Sequence, residues 1–376
     1  MNLLYISLIN LEKNLLGVNK KIEGQIKAIK KQGLNTYRIA LKNSGLYAFN
    51  NDEEVLLKKT FSGNKFEFIQ KRIIYYRIIL NFIKKHDIKV IYIRYLLSDP
   101  FFINFIKECK RIGAKVYLEV ATYPYEKEIN ILIRFIDNFF RKFLRKYVDY
   151  IITYSDHRIL FGINTINIEN GIDTDSIKIS KLKFNKDIIN FIGVASISRW
   201  HGFDRVIKGI AEYYKKNDIN KKIFFHVVGE GPELSNLKIL TKKLNLEKYV
   251  VFHGFKSGRE LDEIFDRCNI GIGSLGNHRK GINKDSALKN REYCARGVPF
   301  VIASLDNDFS ENFKYVFRVP KNEENVNVQA IVEFYNSIRQ ENYVNEMRKY
   351  AKERLSWDAK MKPVIKTILD IKSYNN

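Results

Sequence analysis

Short runs of β-branched and aromatic residues alternate along the chain with stretches whose apolar positions recur at helical spacing. In the first half, residues 3–7, 36–40, 90–93, 115–119 and 150–153 predict strands. Residues 20–32, 68–85, 101–111 and 129–146 predict the helices between them. Such alternation is the pattern of parallel, doubly wound sheets. It weakens over 170–185, where the turn string NGIDTD falls, and then restarts. The second half predicts strands at 188–194, 222–228, 249–252, 270–273 and 299–303, with helices at 204–215, 232–244, 260–267 and 287–296. A last helical segment, 357–371, follows the second sheet. The expectation is an α/β protein of two Rossmann-like domains, 1–180 and 186–355, facing each other across a cleft, with 356–376 as a terminal helix. Ligands on such sheets bind beyond the carboxyl ends of the strands.

With 376 residues and 45% hydrophobic side chains, each half can bury its own core, which excludes global disorder. Cys109, Cys268 and Cys294 lie far apart and in no metal-ligand spacing. That usage suits a reducing compartment, and a cytoplasmic protein is expected. The start MNLLYISLIN has no cationic region or cleavage site and reads as a strand, not a signal peptide. No stretch approaches the roughly 18 uncharged residues of a membrane span. The net charge of +23 is spread over both halves, so polyanionic small molecules, anionic membrane and nucleic acid all fit it. Nucleic acid is not expected, because no recognised module occurs and the basic residues are not clustered with stacking aromatics.

Two segments carry candidate chemistry. In VVGEGPELSNL (227–237), Gly229 and Gly231 close a predicted strand, and Pro232 opens the next helix at its first position. This turn fits close approach of a ligand, or an ordinary connection. In KDSALKNREYCARGVPFVIA (284–303), Ser286 is a good N-cap. A helix starting there aims the N–H groups of Ala287, Leu288 and Lys289 at one spot, where an anion is favoured, and the Lys289 ammonium adds charge. Glu292, one turn further, suits two neighbouring hydroxyls such as those of a ribose. The alternative is a capped surface helix bearing an ion pair.

The remaining features read as ordinary structure or stay open. The pairs Asp173/Asp175 and Asp306/Asp308 are expected to be turn residues, so no metal is expected. His157, His226, His253 and His278 show no ligand spacing. The string TYPYEKE (122–128) lines an acceptor or packs a loop. Lys20, Lys21, Lys27, Lys30 and Lys31 share one predicted helix. Arg134, Arg141, Lys142, Arg145 and Lys146 share another, interleaved with Phe135, Phe139, Phe140, Phe143 and Leu144. Either helix presents a solvated charged face or rests on anionic lipid.

The order NGID (170–173), SRWHGFDRVIKG (198–209), VVGEGPE (227–233), VVFHGF (250–255), CNIGIGS (268–274) and REYCARGVPFV (291–301) resembles glycosyltransferase family 4. The likeness is to a bacterial subset with WHG and SxLKxREYxARGxP segments. More loosely, LLGVNKKIEGQIKAIKKQG (15–33) and YVDYIITYSDHRILFG (147–162) resemble the family's glycine loop with its first helix and the strand region before NGID. The resemblance implies a GT-B fold, a last helix crossing back to the first domain, and sugar transfer with retention from a nucleotide-sugar donor, UDP- or GDP-linked. It places Glu292 on the donor ribose, Leu288 and Lys289 at the diphosphate, and Gly17 beside the donor phosphates. Ser196 and His201 stand where the family has a diphosphate-binding arginine and lysine, so Arg199 or Lys289 is expected to supply the charge. Lys284 replaces the first glutamate of a family pair, and Ala121 replaces a histidine, leaving Glu119 as the nearest ionisable group. The catalytic candidates are therefore Glu119, Arg199 and Lys289. The donor-binding candidates are Gly17, Arg199, His201, Gly229, Gly231, Ser286, Leu288, Lys289 and Glu292. The expected acceptor is a glycan or lipid-linked sugar of the cell surface; a sugar-nucleotide epimerase, a polyanion-binding protein and an inactive transferase are the alternatives.

Overall fold

The structure, a computed structural model, describes residues 1–11, 16–43, 45–51, 53–59, 67–125, 130–181, 185–216, 221–339 and 342–370. It divides into two compact units, Met1–Glu169 with Lys360–Asn376, and Asn170–Ala359. The division falls at Glu169/Asn170, earlier than the expected boundary near 180.

The first unit contains strands β1 (Asn2–Asn10), β2 (Asn35–Lys42), β3 (Gly45–Asn50), β4 (Glu53–Lys59), β5 (Ile88–Arg94), β6 (Lys115–Val120), β7 (Tyr150–Thr153), β8 (Ile159–Leu160) and β9 (Ile163–Asn167). Its helices are α1 (Leu16–Lys31), α2 (Glu67–Lys85), α3 (Pro100–Arg111) and α4 (Ile131–Phe140). The sheet order is β4-β3-β2-β1-β5-β6-β7-β9-β8. From β2 to β9 the pairing is parallel, while β3, β4 and β8 pair antiparallel at the edges. Residues 3–7 of β1 are all buried, as a central strand covered on both faces requires. Asp99 caps α3 by accepting from Phe102 N–H at 2.7 Å, with Pro100 at the first position. Two expectations need correction. β3 and β4 were not predicted; β4 is largely exposed, so its sequence lacks the alternation of a half-buried strand. The helix expected over 129–146 is α4 followed by a 3-10 stretch, Arg141–Lys146, and residue 129 lies outside the described residues.

The second unit contains β10 (Ile188–Val194), β11 (Lys222–Val228), β12 (Val250–Phe252), β13 (Ile270–Ile272), β14 (Phe300–Ile302) and β15 (Val316–Arg318). Its helices are α5 (Phe203–Tyr214), α6 (Leu234–Lys243), α7 (Gly258–Phe265), α8 (Leu288–Arg296), α9 (Val328–Ile338) and α10 (Tyr343–Tyr350), and α11 (Trp357–Leu369) begins in this unit and ends in the first. The sheet is parallel throughout, in the order β12-β11-β10-β13-β14-β15, the Rossmann arrangement. Both units are thus Rossmann-like α/β structures. β10 and β11 pair residue for residue from Ile188/Lys222 to Val194/Val228, so their carboxyl ends finish level and their loops leave from one edge. Pro232 does not open α6. It sits in a turn, and the helix starts at Leu234. Likewise α8 starts at Leu288 with Ala287 as its N-cap residue, so Ser286 is not the cap.

Candidate active site

In the second unit the sheet reverses its winding between β10 and β13. Loops leaving the two strands of such a switch point diverge and open a crevice at the carboxyl edge. The loop after β10 carries Ser196, Ser198, Arg199 and His201, and it is fixed to the loop after β13. Leu275 N–H donates to His201 O at 3.0 Å, and Gly276 N–H donates to Trp200 O at 3.1 Å. Arg279 donates to Arg199 O at 2.7 Å and grips Asp204 with two bonds of 2.8 and 2.9 Å. The Arg199 side chain itself is exposed.

Ser198 N–H donates to His201 Nδ1 at 3.0 Å, which leaves the His201 proton on Nε2. Burial, and then the Lys289 charge, hold the His201 pKa at about 3. The imidazole is therefore a neutral donor at physiological pH and cannot replace the charge of a lysine.

Gly229 and Gly231 serve the same edge. Gly229 has φ +126°, and a Cβ there would lie 1.8 Å from Ala195 O; one on Gly231 would lie 2.2 Å from Ile197 O. The loop after β11 is thereby laid against the loop after β10, with Ile197 N–H donating to Glu230 O at 2.7 Å. What the two glycines permit is contact between backbone loops.

The first N–H groups of α8, those of Leu288 and Lys289, have no intrahelical acceptor, and among the described residues no side chain caps them. Ser286 is committed elsewhere: its Oγ accepts from Asn170 N–H at 3.1 Å and its carbonyl accepts from Asn170 Nδ2 at 3.0 Å. Lys289 Nζ is buried and has no hydrogen-bond partner among the described residues. It lies 5.5 Å over the Phe203 ring, whose centroid is 5.7 Å from that of His201. Burial lowers the Lys289 pKa to about 7, with Asp285 opposing the shift. A buried ammonium without an acceptor, next to open helix N–H groups, forms a cradle for an anion.

Glu292 lies one turn along α8. Arg296 Nε and Nη2 both bond its Oε1, at 2.9 and 2.8 Å, and the side chain is 25% exposed. The ion pair thus occupies one oxygen and orients the other. Arg291, between these groups, is fully buried. It bonds both Asp306 oxygens at 2.7 and 2.8 Å, and it also bonds Asp308 and Asn170 O. The Asp306/Asp308 pair is engaged as the counter-ion that ties α8 to the loop after β14, and Asp173 closes a turn on Asp175 N–H at 3.1 Å. Among the described residues no group of three or more His, Cys, Asp and Glu could hold a metal. His226 and His253 bond each other at 2.9 Å.

In the first unit, Glu119 is fully buried on β6. It accepts from Tyr92 Oη at 2.8 Å, Gln25 Nε2 at 2.9 Å, Tyr5 Oη at 3.3 Å and Arg94 Nη1 at 2.6 Å, with Lys21 Nζ 3.7 Å away. Burial raises its pKa, but Lys21 and Arg94 outweigh that and leave it below the usual value. Lys21, over the Tyr154 ring at 3.3 Å, is pushed down to about 8 by burial against the pull of Glu119. Glu119 is thus an ionised anchor that joins α1 to β5 and β6. Gly17 is exposed at the second position of α1, with nothing among the described residues near its Cα face. Of TYPYEKE, Tyr125 donates to buried Asp137 at 2.6 Å, Tyr123 packs on His157, and residues 126–128 lie outside the described residues.

Sequence reasoning missed Lys21, Arg279, Arg291 and Asn170. Arg291 had a signal, since an arginine inside an otherwise buried helix face needs carboxylates, and the chain offers two nearby. Lys21 had none, because a lysine on an amphipathic helix ordinarily faces water.

The family model for glycosyl transferases group 1 matches residues 174–354. No curated protein matches the chain in sequence. Among solved structures, a glycosyltransferase from Rickettsia africae is similar at TM-score 0.64 and 13% identity, over 98% of this chain and 97% of that one. Anabaena Alr3699/HepE, solved with UDP-glucose, is similar at TM-score 0.60 and 11% identity, over 98% and 100%. The UDP-GlcNAc 2-epimerase of Methanocaldococcus jannaschii reaches TM-score 0.50 and 14% identity, over 100% of both chains. At these identities the likeness is one of fold. The GT-B fold therefore stands for the chain, and its residues 174–354 match the glycosyl transferases group 1.

Proposed function

We propose that the protein is a retaining glycosyltransferase whose nucleotide-sugar donor binds the second unit at the β10/β13 switch point. The observation that carries this reading is the Lys289 ammonium, buried without an acceptor beside the uncapped start of α8. In the proposed pose the donor diphosphate takes the N–H groups of Leu288 and Lys289 and the Lys289 charge. Arg199 approaches from the loop after β10, His201 Nε2–H donates as a neutral group, and the free oxygen of Glu292 accepts from the ribose hydroxyls. Glu292 then positions the donor and is not a base.

The reaction breaks the bond between the anomeric carbon and the β-phosphate oxygen, whose electron pair goes to the phosphate. The acceptor oxygen bonds to the same face of that carbon, and its proton passes to the departing phosphate. Charge develops on the leaving diphosphate, where preorganised N–H groups and an ammonium are most effective. A UDP- or GDP-linked hexose as donor, and a glycan or lipid-linked acceptor in surface-polysaccharide synthesis, are drawn from the resemblance and not from any one residue.

A thermal-shift screen across UDP-, GDP-, ADP- and CMP-sugars tests the donor site. One uridine or guanosine donor is expected to raise the melting temperature, by about 3 kcal/mol of stabilisation at a hundredfold excess over Kd. Glu292→Ala should stay folded, at a melting temperature lowered by loss of the Arg296 pair, and weaken that donor about tenfold to a hundredfold. No shift with any of the four, or an unchanged response in Glu292→Ala, overturns the assignment. Conversion of the donor to an epimer without acceptor would mark the epimerase alternative.

A further inference from the structure

We infer that α4 and the 3-10 stretch after it form a surface that docks on a bilayer of anionic lipids, an inference independent of the proposed donor site. The fold separates the two basic helices of the sequence. On α1 the apolar side is used up, with Ile22, Ile26 and Ile29 buried, while Lys21 turns inward to Glu119 and Lys30 bonds Asn51 at 3.0 Å. That helix presents a solvated face.

The outer surface of α4 is apolar. Ile131 is 78% exposed, Leu132 73%, Phe135 78%, Ile136 46% and Phe139 55%. Only Asp137 among the ten residues of α4 is fully buried, and it ties the helix down by accepting from Tyr95, Tyr125 and Ser98 N–H. A ten-residue helix held by one buried carboxylate and showing its large apolar side chains to solvent is unlike an ordinary monomer surface.

Charge identifies the occupant. Arg134, Lys142, Arg145 and Lys146 are all exposed around this surface, and from 130 to 148 the one acidic residue is the buried Asp137. Phe135, Phe139, Arg141, Lys142, Arg145 and Phe161 line a cleft of about 760 Å³ at its base, with aromatic walls and basic groups together. Two copies of this chain meeting through the patch would set like charges against like. An interface of anionic lipid offers acyl chains to Ile131, Leu132 and Phe135 and headgroup phosphates to the flanking cations, including those of the cleft.

Co-sedimentation of the full chain with vesicles tests the inference. The protein should pellet with phosphatidylglycerol/phosphatidylcholine vesicles and not with phosphatidylcholine alone, and added salt should weaken binding. The variant Ile131→Ser/Phe135→Ser, altered at two largely exposed positions, should keep its melting temperature and lose about tenfold or more in vesicle affinity. The variant Lys142→Glu/Arg145→Glu should lose binding while keeping the response to nucleotide sugars. Wild-type failure to bind anionic vesicles, or unchanged binding by Ile131→Ser/Phe135→Ser, overturns the inference. So does a solution dimer that Ile131→Ser/Phe135→Ser dissociates.

Discussion

Lys289 shows how surroundings change the titration of one side chain. An ammonium in water titrates near 10.4; buried beside Phe203, Lys289 is lowered to about 7. The folded state thus binds this proton less readily than the unfolded chain. Protonated Lys289 costs stability below pH 7, and the cost is relieved as pH rises from about 7 toward the unfolded value. An anion reverses the preference by stabilising the charged form, so its affinity falls as pH rises above about 7 and its binding takes up a proton. Titration of UDP by calorimetry at about pH 8, in buffers of different ionisation enthalpy, should show uptake approaching one proton. Lys289→Met should abolish that uptake and weaken UDP; uptake unchanged in the variant would remove Lys289 from the diphosphate. His201, held at about 3, contributes nothing to a pH profile in this range. Glu119 belongs to another class. With four hydrogen bonds and two cations around it, its ionisation stabilises the packing of α1 and leaves it no proton to exchange.

At the scale of elements, the edge proposed to take the donor depends on three loops and one helix start held in register by backbone contacts. The loop after β11 lies against the loop after β10 because neither Gly229 nor Gly231 carries a Cβ. Gly229→Ala places a carbon 1.8 Å from Ala195 O in a left-handed conformation. It should lower stability by at least about 1–3 kcal/mol in urea unfolding and impair nucleotide binding in the molecules that remain folded. Wild-type stability in that variant would mean that the loop relaxes freely and that the glycines answer some other demand. Of the sequence readings at this scale, β10 and β11 were legible to the residue, because buried parallel strands are written as continuous apolar runs. The start of α8 was not. Ser286 has the chemistry of a cap, but Asn170, far away in the chain, takes its hydroxyl, and the helix begins two residues later. β4 was missed for a different reason: an exposed edge strand has no buried face to imprint a period on its residues.

For the whole molecule, the net charge of +23 acts as self-repulsion on the compact state and as attraction for anions. Screening by potassium chloride should therefore raise the unliganded melting temperature by a few degrees between about 0.05 and 0.3 M, while slowing capture of anionic ligands. A fall with salt would show that close pairs such as Arg291–Asp306 outweigh the diffuse repulsion. The charge is not assigned to one partner by its size. Among the described residues the second unit buries a cation without an acceptor at a helix start, and the first sets exposed cations around an apolar helix, so the excess charge is presented in two different settings.

Local periodicity and turn chemistry make the two doubly wound units, most of their parallel strands and the short segments around 198–202, 229–232 and 286–292 legible in the residues alone. Which ionisable groups are paired and which apolar faces are covered follows from the folded arrangement. Arg291 is neutralised by Asp306 and Asp308 and Glu119 by cations on other elements, while among the described residues Lys289 Nζ is buried with no acceptor and the apolar face of α4 has no cover. Pairing and burial depend on which residues the fold brings within a few ångströms, and spacing along a chain does not carry that information.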